Sequence, residues 1–238
     1  MENYAESAKE LTMERVSLVK VGGVCAILAF VSFIAAAIVH FAGVRQVDSD
    51  DVAQVLMAMN DNRVAFLTAT WLVLPGSVLF IPAALGLVQA LRAAGAVLWI
   101  AVAAMITGAL LFIAAAVIQL GVGYELAPSY VEASDATKPA LMVVARTLDR
   151  INDVANDIGF LLLLGIGVLL FALAILRMSI VPKWVGWLGL TGVILAWLST
   201  LDPVLEALSV LGDIAFVIFI VWIFVMGVVL LRWREPAQ

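Results

Sequence analysis

The chain has 238 residues, 65% hydrophobic and 13% charged, against roughly 45–50% and about 25% in an ordinary soluble domain, so its natural solvent is lipid. Its formal charge of −5 at pH 7, from 13 basic and 18 acidic residues, argues against a nucleic-acid partner, because phosphate binding needs a basic face. The single cysteine, Cys25, and the single histidine, His40, exclude an intrachain disulfide, a Cys- or His-rich zinc cluster and a bis-histidine haem, and no metal or cofactor is implied.

No polar linker divides the chain, which reads as one all-α, polytopic transmembrane bundle. Residues 1–16 form a cytoplasmic segment, 17–234 a six-span domain and 235–238 a cytoplasmic tail. The first span lies near 21–44. Lys9, Arg15 and Lys20 precede it as they would a signal peptide. Its 24 uncharged residues exceed the roughly 7–15 of a signal h-region, so it is read as a retained helix. Later spans fall near 64–91, 94–122, 157–177, 184–201 and 211–232. These runs are continuously apolar rather than alternating, which favours helices over barrel strands.

Between the first two spans, Ser49-Asp50-Asp51 reads as a helix cap. Val52, Val55, Leu56 and Met59 then recur at i, i+3, i+4, i+7, the spacing of a short amphipathic helix on the outer surface or lidding the bundle. Pro75 and Pro82 are expected to kink span two. Glu125 to Thr137 reads as a second outer loop, with Pro128 and Ser134-Asp135 as turn signals and a helix restarting near Pro139.

The stretch Ala145 to Phe160 is the most informative. On a helix, Arg146, Asp149, Arg150, Asp153, Asn156 and Asp157 share one face, and Leu148, Ile151, Val154 and Ala155 take much of the other. Arg146 can pair with Asp149, and Arg150 with Asp153. The stripe is either a solvated helix end that anchors span four or a polar mouth facing the bundle interior, since ionisable groups at membrane depth usually face a cavity or a partner. Asp213 opens the last span, where the helix dipole favours an acid. It would otherwise meet Arg150 or Asp157. His40 closes span one at the same level, as a packing residue or a pH-sensing group.

Gly186, Gly189 and Gly192 recur every third residue in span five, and Gly159, Gly165 and Gly167 punctuate span four. Such residues let membrane helices approach closely, within the bundle or in an oligomer. Trp184, Trp187 and Trp233 suit an inner aromatic belt. With both termini inside, eight basic residues lie on the inner side and five on the outer, as the positive-inside rule requires. No G-x-S-x-G elbow and no P-loop occurs.

Span four through span five resembles a large bacterial family of multi-pass membrane proteins catalogued only as a domain of unknown function. The resemblance is carried by Arg177-Met178-Ser179, by Pro182-Lys183-Trp184-Val185-Gly186, and by Gly212-Asp213 with Trp222 further along the last span. It covers Ser17 to Leu231, with its motifs in the C-terminal half, and departs from the family pattern at Asp48 to Asp51. It implies six spans in the plasma membrane and no reaction.

These features favour a non-enzymatic binding or accessory role with an outward-facing polar rim. Its partners are the lipid bilayer and either a second copy or another membrane protein. The alternative is a proton- or cation-coupled carrier using Asp157, Asp213 and Arg150. Against it, Gly159 to Leu176 and Ile214 to Leu231 carry no ionisable group. A lipid-modifying enzyme with paired acids as general acid and base is the lesser alternative.

Overall fold

The computed structural model describes residues 2–43, 51–178, 181–201 and 209–233. Among them the chain is all α. The helices are α1 (Glu2–Gly43), α2 (Val52–Asp61), α3 (Arg63–Leu91), α4 (Val97–Gly121), α5 (Ala127–Glu132), α6 (Lys138–Phe160), α7 (Leu169–Arg177), α8 (Lys183–Ser199) and α9 (Ser209–Leu231). Wider π-type turns join α4 to α5 at Val122–Leu126 and α6 to α7 at Leu161–Val168. Gly95 supports the tight turn before α4, because its φ of 85° is one that side-chain-bearing residues rarely adopt.

Five helical stretches are long and apolar enough to cross a membrane: Val16–Ala42, Arg63–Leu91, Val97–Glu132, Lys138–Arg177 and Val210–Leu231. The apolar α8 has 17 residues. At 1.5 Å per residue it is about 26 Å long, just under the roughly 30 Å hydrocarbon core. Lys138–Arg177 has 40 residues. Its length of about 60 Å is twice what a crossing needs, so part of it lies outside the hydrocarbon.

The helix α3 runs on through Pro75 and Pro82. Thr70 and Ser77 add side-chain bonds along the same helix: Thr70 Oγ1 donates to Phe66 O at 2.9 Å and Ser77 Oγ to Val73 O at 3.0 Å, whereas the carbonyls that Pro75 and Pro82 leave without an i+4 donor are those of Trp71 and Val78. The segment after α4 differs from the expected loop. It stays helical to Glu132 through Pro128 in the first turn of α5, and Ala127 and Tyr130 are buried. Only Ala133 to Thr137 is non-helical, and α6 restarts at Lys138, beside Pro139.

The chain forms two compact units, with boundaries inside α1, α3 and α4 and at the end of α6. Unit 1 comprises residues 1–30, 79–109 and 160–238. Its core holds Trp222, Phe80, Phe171, Phe219 and Leu230. The helices α1 and α3 meet here with almost no side chain between them: a Cβ on Gly22 would lie 2.7 Å from Gly86 Cα. The span-five glycines are used inside this unit. Gly186 packs on Leu176, Gly189 on the Trp222 indole and Gly192 on Ile218, so α8 presses against α7 and α9. The Trp222 indole N–H donates to Val185 O at 3.0 Å and pins α9 to α8. Trp187, Ile194 and Leu198 form the exposed side of α8.

Unit 2 comprises residues 31–78 and 110–159. Its core is a cluster of Leu56, Leu126, Ala127, Tyr130 and Ala145, with Val52, Met59 and Leu148 packed against it. Thus α2, α5 and α6 share one apolar centre.

Candidate functional site

The site begins with α2. Asp51 is its N-cap: one carboxylate oxygen accepts from the backbone N–H groups of Ala53 and Gln54 at 3.1 and 3.2 Å. The other accepts from the Gln54 side chain at 2.8 Å. These bonds satisfy donors that a helix start otherwise leaves open. Ser49 and Asp50 lie outside the described residues. The cap fixes the phase of the helix, and Val52, Val55, Leu56 and Met59 turn together onto a cavity of about 110 Å³. Phe66 of α3, Ile118 and Gln119 of α4, and Ala145, Leu148, Asp149 and Asn152 of α6 complete its walls.

Three polar side chains therefore meet an otherwise apolar cavity: Gln119, Asp149 and Asn152. Asn152 is 6% exposed, and its Oδ1 is shut from solvent with no hydrogen-bond partner. A polar atom left this way costs about 1–3 kcal/mol, so it stands out in a native fold.

Beside the cavity, the π-turn Val122–Leu126 is held from α3. Arg63 Nη2 donates to Tyr124 O at 2.9 Å, and Trp71 Nε1 donates to the Tyr124 hydroxyl at 3.1 Å. Gly123 lets this turn close onto Phe66, since a Cβ there would lie 2.8 Å from the ring. Wide turns of this kind recur at functional sites.

Five of the six polar residues of the α6 stripe, Arg146, Asp149, Arg150, Asp153 and Asp157, are exposed. Arg150 and Asp153 approach to 4.0 Å at the surface. Arg146 and Asp149 form no ion pair; Asp149 borders the cavity instead, and Asn156 is half-buried. His40 is exposed and meets the edge of Phe41, with centroids 5.8 Å apart. No hydrogen bond or ion pair joins it to the stripe. Asp213 belongs to unit 1, is exposed, and forms no ion pair with a described residue. Among the described residues no three His, Cys, Asp or Glu side chains cluster closely enough to hold a metal.

Asn152 and Gln119 were missed by reading polarity alone. The available signal was the spacing of Ala145, Asn152 and Gly159, seven residues apart and all buried. Small residues on one face of a membrane helix mark its packed side.

A profile of the family described as Domain of unknown function (DUF4386) matches residues 21–233. The chain belongs to this family. The DUF4386 match spans the N-terminal half as well as the motif-bearing C-terminal half. No curated protein and no solved structure matches the chain. Membership adds no reaction, and the cavity's chemistry has to carry the functional reading.

Proposed function

We propose that this DUF4386 protein is a non-enzymatic membrane protein that binds a small amphiphile in the cavity under α2, on the outer side of the plasma membrane. The observation that carries the reading is the buried amide of Asn152, unpartnered at Oδ1 in an apolar wall beside Gln119 and Asp149. Rotation of the amide about χ2 brings either its oxygen or its nitrogen to the cavity. A ligand hydroxyl or amine then satisfies it, while Val55, Leu56, Met59 and Phe66 take the apolar body.

Size sets the ligand class. The cavity measures about 110 Å³. That equals the liquid volume of about three or four waters and is well below the roughly 300–1,000 Å³ of a drug-sized pocket. Short alcohols and amines fit; a steroid or a nucleotide does not. Arg146, Arg150, Asp153 and Asp157 form the polar rim beside the site in this reading, with His40 and Asp213 further outer groups.

The same reading takes the chain across the membrane six times, with α8 as the short fifth span and both termini in the cytoplasm. The charges of unit 1 support this. Lys20, Arg92, Arg177, Lys183 and Arg232 gather at the end where α7 and α9 finish and α8 starts. Asp213, at the start of α9, is the sole acid among this unit's described side chains. Phosphatase and fluorescent-protein fusions at each terminus test the orientation.

Ligand binding is tested by fluorine NMR with trifluorobutanol as the probe. Saturable line broadening is expected for the native protein, with loss of the saturable part in Met59→Trp, which fills the cavity. Equal broadening in both proteins defeats the reading.

A further inference from the structure

At its basic end, unit 1 has a groove of about 490 Å³ that has no part in the cavity under α2. One wall is Pro182 and Trp184, at the start of α8. The other is the face of α9 that carries Val225, Val228, Val229 and Arg232. These α9 positions recur at three- and four-residue steps, so they line up along about 10 Å of helix. Along that length the wall is apolar and uncharged, and at its end stands a guanidinium. Arg232 is exposed and has no ion pair with a described residue. Lys183 begins α8 at the same end and is also exposed. Trp184, 56% exposed, offers an indole at the level of these charges, where tryptophan prefers the membrane interface.

We propose that this groove holds one anionic phospholipid. The acyl chain lies along Val225, Val228 and Val229. The phosphodiester and its acidic headgroup meet Arg232, with Lys183 adding to the positive field. Charge complementarity selects this occupant. A zwitterionic lipid could fill the same apolar trough but carries no net charge for Arg232. Another helix of this chain's kind would bring apolar side chains against a guanidinium that pairs with no described residue. Basic pockets between membrane helices are a recurring form of anionic headgroup site.

Native mass spectrometry of the full-length protein in detergent tests the site, with dioleoylphosphatidylglycerol and dioleoylphosphatidylcholine titrated separately. One basic residue near a lipid surface corresponds to about a fivefold preference, and that is the advantage expected for the glycerol lipid. Arg232→Gln should bring the two lipids close to parity, and Arg232→Lys should retain most of the preference. Val228→Trp, which fills the trough, should weaken both lipids together. Equal binding of the two lipids by the native protein overturns the proposal. So does a preference that survives Arg232→Gln.

Discussion

Arg63 donates through Nη2 to the carbonyl oxygen of Tyr124 at 2.9 Å, and its guanidinium carbon lies 5.7 Å from the centre of the Tyr124 ring. One side chain from α3 thereby holds a wide turn that would otherwise leave a carbonyl open. Arg63→Met should remove both interactions. The expected loss is about 1 kcal/mol, or a melting point lower by about 2–4 °C for a chain of this size. Trp71→Phe, which removes only the exposed bond to the Tyr124 hydroxyl, should cost less. Thermal melts in matched detergent compare the two.

Asn152→Leu separates the two consequences of a buried amide. Removing an unpartnered polar atom should stabilise the free protein by about 1 kcal/mol. The same change should weaken the saturable trifluorobutanol signal, because the buried amide is lost and only Gln119 and Asp149 remain as polar groups on the cavity. Asn152→Asp should lower the melting point, since it places a charge among apolar side chains. Melts and fluorine NMR on the same three samples check the pattern.

The all-α class and the membrane-crossing helices were legible because apolar runs dominate the chain, and α2 because its four apolar residues keep helical spacing. The α6 stripe was harder. A helical wheel groups Asp149 with Arg146 and Arg150, but it does not say which sector meets the core. In lipid, apolar side chains need not be buried: Val143, Ile151 and Val154 are exposed while Asn152 is enclosed. Polarity alone therefore marks the exposed stripe but does not single out the enclosed Asn152. The π-turns depend on close approaches, such as Gly123 against Phe66 and Gly167 against Met105, which involve residues far apart in sequence.

Glycine substitutions should divide sharply by environment. In Gly22→Ala the new Cβ meets backbone, 2.7 Å from Gly86 Cα and 3.0 Å from Pro82 O, which cannot move aside cheaply. A cost of about 1–3 kcal/mol is expected, read as a lower melting point and poorer monodispersity on size exclusion. Gly121→Ala meets nothing within 4 Å in a helical backbone. It should be neutral or stabilising by up to about 1 kcal/mol.

Trp222→Phe should cost little more than its hydrogen bond and a small void. Side-chain hydrogen bonds between membrane helices average about 0.6 kcal/mol, so a modest decrease in melting point is expected. Trp187→Phe, on the exposed side of α8, should leave it unchanged. A Trp222 effect no larger than that of Trp187 would remove the pin between α8 and α9 from this account.

The most direct measurement of the cavity's role is ligand protection inside it with Asn152 left intact. Val55→Cys in a Cys25→Ser background provides a single thiol in the cavity wall, and its labelling by a small neutral methanethiosulfonate reports access beneath α2. Trifluorobutanol is expected to slow this labelling saturably, at the concentrations that saturate the fluorine signal, and to leave unchanged a control cysteine at Thr147, on the exposed side of α6. Equal labelling rates with and without trifluorobutanol at position 55 would contradict a ligand site under α2.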